Sequence, residues 1–212
     1  KDLGEAQKPS YQVPLLVEDR RNAILLALLQ TRQPLSLGAL ADLLFVSRST
    51  VKSDVAVLKR ELKDRPVAVK HRPGVGHYVQ GDEAAIRKLM ADLYFEKTQK
   101  GGMEMVAWAD LLPDAELLTQ AQADAAWQVA GSFRIETRLC LDPNTFGRLV
   151  AMLLVSMRRV TLGYEVAIPS DQMSRIAETL EYSAVSRLGD RIREVADIEL
   201  HAGDLALITV SL

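Results

Sequence analysis

The spacing of apolar residues changes twice between residues 20 and 97, and this constrains the fold more than any other feature of the sequence. Apolar residues first recur at helical intervals in three segments, RRNAILLALLQ, LGALADLL and the stretch from Ser47 to Leu62. They then alternate in VAVKH and HYVQ, which flank RPGVG and so predict a β-hairpin. A further helical segment, EAAIRKLMADLYFEK, follows. The predicted order is helix, helix, turn, helix, hairpin, helix, which is the order of a winged helix-turn-helix.

The predicted helices have local start signals. Ser36 and Ser47 each stand just before a helical segment, where a serine oxygen accepts a hydrogen bond from an otherwise unpaired backbone N–H. Gly81-Asp82 precedes the last of these segments in the same way. Phe45-Val46 is predicted to be a short turn between two helices.

The rest of the chain divides into two linkers and a helical region. Residues 1–18 contain two prolines and no helical period, which predicts a linker. Residues 98–116 include TQKGG and LLPDAE and predict a second linker. Residues 117–212 have helical patterns and no strand alternation. We therefore expect a mainly α chain, with a winged helix-turn-helix (a three-helix core plus a β-hairpin wing) over residues 19–97 and an all-α helical bundle after it.

Charge is unevenly distributed along the chain. The formal net charge is −2, but residues 20–100 carry 15 Lys and Arg against 8 Asp and Glu. The remainder carries 11 against 20. A basic module beside an acidic one indicates a polyanionic partner for the first. A patchy surface without such a partner is the alternative.

The composition excludes several classes of protein. An apolar fraction of 48% with 25% charged residues is typical of a soluble globular chain. No apolar run is long enough to span a membrane and none is part of a signal peptide, so we expect a cytoplasmic protein without a membrane partner. One cysteine and three histidines rule out a disulfide framework and predict no metal site. Because the chain begins at Lys1 without Met, we expect it to be part of a longer protein.

An enzyme is the first rival interpretation. The sequence has no Gly-rich nucleotide loop, no Ser/His/Asp set and no carboxylate pair on a predicted pocket, so no catalytic residue and no cofactor are predicted. A second rival is an interaction or dimerisation module whose winged helix no longer binds DNA.

The third helix has the residues expected of a recognition helix. Val51, Val55, Leu58 and Leu62 form its buried face, and Asp54 is expected to be a structural partner. Small and basic residues occupy the other side of its first turns, where such helices enter the major groove. The predicted DNA-binding residues of this helix are Arg48, Ser49, Thr50, Lys52 and Ser53, with Lys59 and Lys63 suited to backbone phosphates.

The predicted hairpin adds basic residues suited to a wing that touches the DNA backbone or minor groove. Lys70, His71 and Arg72 lie near its loop, and His77 lies on the returning strand. Double-stranded DNA is favoured over RNA because a helix with small polar tips fits the B-form major groove, whereas the A-form major groove is inaccessible.

These segments resemble a known family. LADLLFVSRSTVKSDVAVLKRELK and VKHRPGVGHYVQGDEAAIRKLM are similar to the second winged helix of sugar-operon activators of the mannitol and lichenan regulator type, DNA-binding relatives of the bgl-type antiterminators. FGRLVAMLLVSMRRVTLG, LEYSAVSRLGDRIREV and IELHAGDLALITVSL resemble a phosphotransferase-system regulation domain (PRD). PSYQV at 9–13 is similar to the last strand of a preceding winged helix.

The resemblance implies that transcription is controlled by sugar supply through the phosphotransferase system. It implies a homodimer, operator DNA as partner, and control by phosphotransferase proteins, which we expect to act on regions outside this chain. PRDs of this type are phosphorylated on histidines, but the corresponding positions here are Met152 and Ser211. We therefore expect no phosphorylation site and a degenerate PRD at 117–212. His201 is expected to be a loop or cap residue, and Arg158-Arg159 to pair with carboxylates such as Glu178 or Glu181.

Overall fold

The computed structural model describes residues 16–101, 120–136 and 141–212. The predicted linkers therefore lie mostly outside the described residues, as do residues 117–119 at the start of the predicted PRD. Two element boundaries differ slightly from the predictions. The first helix begins at Val17, two residues before the predicted domain start, and the fourth continues to Gly101, into the predicted second linker.

The N-terminal half has the predicted order of elements. Its helices and strands are α1 (Val17–Gln30), α2 (Leu37–Leu44), α3 (Arg48–Glu61), β1 (Val67–Arg72), β2 (Gly76–Gly81) and α4 (Glu83–Gly101). The three predicted start signals are present. Ser36 Oγ accepts from the Ala39 N–H at 3.0 Å, Ser47 Oγ accepts from the Thr50 N–H at 3.1 Å, and the Asp82 carboxylate accepts from the N–H groups of Ala84 and Ala85. The winged helix-turn-helix arrangement is confirmed.

The two strands form an antiparallel hairpin that is fastened to the segment before α2. Leu35 and His77 exchange both backbone hydrogen bonds, at 2.7 and 2.8 Å. Gly76 adopts a φ of 147°, and a Cβ there would lie 2.5 Å from the Leu35 carbonyl oxygen. Only glycine allows this close approach, so Gly76 fixes how the hairpin meets the helices.

The C-terminal half is helical throughout its described residues. Its helices are α5 (Gln120–Glu136), α6 (Pro143–Thr161), α7 (Ser170–Ala177), α8 (Leu180–Ala196) and α9 (Ala202–Thr209). All residues of α6 from Leu149 to Arg159 are buried, because α4, α5 and α9 pack around it. The predicted continuous helix after Pro169 is divided into α7 and α8, since Thr179 has extended backbone angles and its side chain caps the Tyr182 N–H.

One hydrophobic core runs through both halves. The cluster of buried apolar residues includes side chains from α1, α3, α4, α6, α8 and α9. Helix α4 makes the join, because it follows the hairpin directly and packs along α6. The packing is close: a Cβ added to Gly147 of α6 would lie 2.8 Å from Cε2 of Phe95 in α4. The helices in the described part of the chain are all too short or too polar to span a bilayer.

Candidate nucleic-acid interface

Helix α3 is held on its inner side by apolar packing and by a buried carboxylate. Val51, Val55 and Leu58 are at most 3% exposed. Asp54, also 3% exposed, accepts from Arg20 Nε at 2.6 Å and from Arg21 Nε at 3.3 Å. Both arginines belong to α1, so the carboxylate ties α3 to α1. The expectation that Asp54 is a structural partner agrees with this geometry.

The outer side of α3 is polar, basic and accessible. Ser49, Lys52 and Ser53 are exposed, as is Lys59 further along, whereas Thr50 is half-buried. Arg60 is also exposed, and it was missed among the predicted contacts. The signal was present: Arg60 follows Ser49 by eleven residues, or about three turns, so the two share a face.

Hydroxyl groups are clustered at the first turn of α3. Ser47 Oγ lies 2.7 Å from Ser49 Oγ and 2.8 Å from Thr50 Oγ1. Each hydroxyl can donate or accept, so the cluster can turn its protons toward an approaching phosphate. The unpaired N–H groups of a helix start also favour an anion at this end.

Arg48 is exposed, but its guanidinium lies along α2 and not straight out from α3. A Cβ added to Gly38 would lie 3.1 Å from Arg48 Nη2 and 3.3 Å from its Cζ. The absence of a side chain at Gly38 therefore provides the space that the guanidinium occupies. From this position Arg48 extends the basic surface of α3 toward α2.

The hairpin divides the four predicted wing residues between its two faces. In the register, His71 lies opposite His77, Lys70 opposite Tyr78 and Arg72 opposite Gly76. Lys70 and Arg72 therefore share one face, and both are exposed. The Arg72 guanidinium lies 5.6 Å from the centre of the Tyr78 ring. His71 is exposed on the other face, with its ring centre 4.7 Å from that of His77.

His77 is buried, which corrects its assignment as a DNA contact. Its side chain is 8% exposed, and Nδ1 has no hydrogen-bond partner among the described residues. Burial lowers the pKa of His77, and the nearby positive charges of Lys59 and His71 lower it further. The imidazole of His77 therefore packs against the domain near the loop end of the hairpin, not on its exposed surface.

A cluster of buried charges joins the N-terminal half to the C-terminal helices. Glu83, at the start of α4, accepts hydrogen bonds from Arg87 on the next turn and from Arg159 on α6. Arg87 also donates to Asp204 Oδ1 at 2.6 Å, and Arg159 to the carbonyl oxygen of Leu29 at 3.0 Å. Both arginine side chains are at most 3% exposed. The expected pairing of Arg159 with Glu178 or Glu181 is wrong, because the guanidinium faces α4.

Met152 and Ser211, which correspond to the phosphorylated histidines of PRDs, are both engaged in the packing of the helices. Met152 is 3% exposed in the core, and Ser211 donates to the Leu207 carbonyl oxygen at 2.8 Å. His201 occupies the N-cap position of α9, where its N–H donates to Asp204 Oδ2 at 2.6 Å. The expected cap position of His201 is confirmed. In the described part of the chain, no group of three or more His, Cys, Asp or Glu side chains could hold a metal ion.

The residues that form α3 and most of the hairpin match a known family of domains. A family model described as HTH domain matches residues 20–78, which span α1 to the middle of β2. Residues 20–78 are an HTH domain. Helix α3 is the helix that follows the turn of this domain, and the hairpin carries Lys70 and Arg72 on one exposed face.

The HTH domain and the helices after it are together similar to one curated regulator. The chain is 25% identical over 201 residues to the probable licABCH operon regulator of Bacillus subtilis (strain 168), a match that covers 94% of this chain. The chain spans only 30% of that relative's length. The predicted resemblance to regulators of the lichenan type is confirmed. Neither the matched family model nor this regulator is described as an enzyme, which agrees with the prediction that the chain is not one.

Proposed function

We propose that this chain binds operator DNA as part of a transcriptional regulator, an activator, of a sugar-uptake operon. The observation that carries the proposal is the accessible surface of α3 within an HTH domain, where Ser49, Lys52 and Ser53 lie opposite the buried side. Helix α3 enters the major groove, Arg48 and Lys52 select bases, and Lys59 and Arg60 neutralise phosphates. Lys70, His71 and Arg72 bring the wing to the neighbouring backbone.

The helical region serves dimerisation or signal transmission in this proposal. The similarity to a probable operon regulator supports a role in transcriptional control. The resemblance to PRD-containing regulators implies that sugar supply sets this control through the phosphotransferase system. Met152 and Ser211 occupy the positions at which PRDs carry phosphorylated histidines. The region at 117–212 therefore transmits the effect of phosphorylation that takes place elsewhere in the regulator. The protein acts as a homodimer on double-stranded operator DNA in the cytoplasm.

Binding to duplex DNA at two salt concentrations tests the proposal. A duplex is first selected by the protein from a randomised pool, and affinity is then measured by gel shift. Neutralisation of about six phosphates lowers the affinity roughly thousandfold between about 50 and 200 mM salt. Arg48→Ala and Lys52→Ala each cost about 1 to 3 kcal/mol and relax the sequence preference.

The control variant is Arg187→Ala, which removes one exposed positive charge from α8. It is expected to bind the selected duplex almost as the parent does. A folded protein that selects no duplex at low salt contradicts the proposal and favours the interaction module. Equal losses in Arg48→Ala and Arg187→Ala contradict the assignment of α3 and indicate binding through net charge alone.

A further inference from the structure

Phe45 combines two properties that a large aromatic residue seldom has. It lies in the turn between α2 and α3 with a φ of 53° and a ψ of 41°, in the left-handed region. Its side chain is 72% exposed. Only one other non-glycine residue in the described chain, Asp197, has a positive φ.

The fold uses the backbone of Phe45 and not its ring. The Phe45 N–H donates to the carbonyl oxygens of Ala41 and Asp42, which ends α2. The inward position of the turn is filled by Val46, which is partly buried and packs against the core. Glycine or asparagine suits such a left-handed helix end better than a side chain with a bulky Cβ substituent. The ring is therefore exposed to water at a position where its own backbone conformation is unfavourable.

The chain around Phe45 leads straight into the basic surface. The cap of α3, Ser47, is two residues further on, and Arg48 and Ser49 follow it with exposed side chains. These hydroxyl and guanidinium groups match phosphate oxygens. An apolar ring beside them matches the apolar parts of the same polymer, the deoxyribose carbons and the thymine methyl group.

We propose that Phe45 is a DNA-contacting residue that packs against the wall of the major groove next to the start of α3. The contact rests on the proposed DNA-binding function and adds an apolar anchor to it. Its ring covers sugar carbons or a thymine methyl while Ser47 and Ser49 bind the adjacent phosphates and Arg48 reaches the bases. A protein partner at the same turn is the competing occupant, and the neighbouring hydroxyl and guanidinium groups favour DNA over it.

Phe45→Gly separates the role in binding from the role in folding. Glycine relieves the left-handed backbone, so the melting temperature stays at or above that of the parent. The affinity for a duplex selected by the parent falls roughly tenfold, the loss of one apolar anchor. Asp197→Gly is the matched control, because it also relieves a positive φ but lies at the end of α8. It removes a negative charge, which cannot by itself weaken DNA binding.

Three outcomes overturn the inference. If Phe45→Gly binds the selected duplex as tightly as the parent does, Phe45 is not a DNA contact. If it binds normally but transcription from a reporter falls, the ring contacts a protein. If the parent selects no duplex, the proposed function fails and the contact fails with it. Tighter folding with weaker binding in Phe45→Gly, and unchanged binding in Asp197→Gly, supports the contact.

Discussion

His77 shows how one residue can combine a sequence signal for function with a structural role. A basic hairpin with a histidine on its returning strand is what a DNA-contacting wing requires, yet this histidine is buried. Strand alternation contained the information to place it. Val69 pairs with Val79 and His71 with His77, so His77 shares a face with the apolar residues of the hairpin. Alternation defines two faces, and only the packing of the domain decides which one is covered.

The buried imidazole predicts a dependence of stability on pH. Because the pKa of His77 is lowered in the folded state, the unfolded chain binds the proton more readily. The contribution of neutral His77 to the free energy of unfolding is therefore fully present above the ordinary histidine pKa of about 6.5. This contribution is lost as the pH falls below that value. Lys59 and His71 are the positive groups that face the ring. Urea unfolding at about pH 7.5 and pH 5.5 measures the change.

Two variants identify the group responsible for this dependence. His77→Asn is expected to lose part of the decrease in unfolding free energy between the two pH values. His71→Asn, which changes an exposed side chain of β1, is expected to retain most of it. An identical pH dependence in the parent and His77→Asn would assign the effect to other groups.

At the scale of the element, the helices depend on interactions that are either close or distant in the sequence. Ser47 and Asp82 lie within three residues of the N–H groups that they cap, so sequence alone predicts both helix starts. The break between α7 and α8 is also local, but the helical pattern of SRIAETLEYSAV continues across it and conceals the capping role of Thr179. The partners of Asp54 are more distant in the sequence. Arg20 lies 34 residues away, and the residue pattern of α3 does not predict that Arg20 pairs with Asp54.

The carboxylate of Asp54 is expected to fix the position of α3 on α1. Asp54→Asn leaves the charge of Arg20 half-satisfied in a site where its side chain is only 15% exposed. The loss in unfolding free energy is about 2 kcal/mol, because a hydrogen bond to a charged group is removed and the cation remains. Asp42→Asn on α2 is the control, since Asp42 is exposed and its substitution is expected to change stability by less than about 0.5 kcal/mol. Urea unfolding of both variants measures the difference, and equal stability would mean that Arg20 and Arg21 are held by other groups.

At the scale of the whole molecule, the HTH domain and the helical region form one packed body in the described residues. The predicted linker places a boundary after residue 97, but the core passes from α4 to α6 without a gap. Sequence analysis predicts the helices on each side and misses the contacts between them. Glu83 and Arg159 are 76 residues apart, and Arg87 and Asp204 are 117 apart. Such pairs form because a buried charge without an opposite charge is costly, and the periodicity of the sequence carries no information about which distant residues will meet.

A double-mutant cycle measures what the buried charges contribute. Glu83→Gln leaves two buried arginines with less compensation and is expected to cost about 3 kcal/mol or more. Combining it with Arg159→Met restores part of the loss, so the two changes are not additive. Asp92→Asn is the surface control: its partner Arg148 is 52% exposed, and the expected cost is below about 1 kcal/mol. Additive losses in urea unfolding would contradict a direct interaction between Glu83 and Arg159.

The four-charge cluster also limits how relatives of this protein can diverge. Two arginines and two carboxylates balance one another in a site where Glu83 is 13% exposed and the other three side chains are at most 3% exposed, so a single substitution leaves an excess charge that is largely shielded from water. We therefore expect relatives either to keep all four residues or to replace them together by apolar residues. The four are Glu83, Arg87, Arg159 and Asp204. A relative in which the set was replaced would retain the helices of both halves. The angle between its HTH domain and its helical region would then be fixed by the packing of apolar side chains alone.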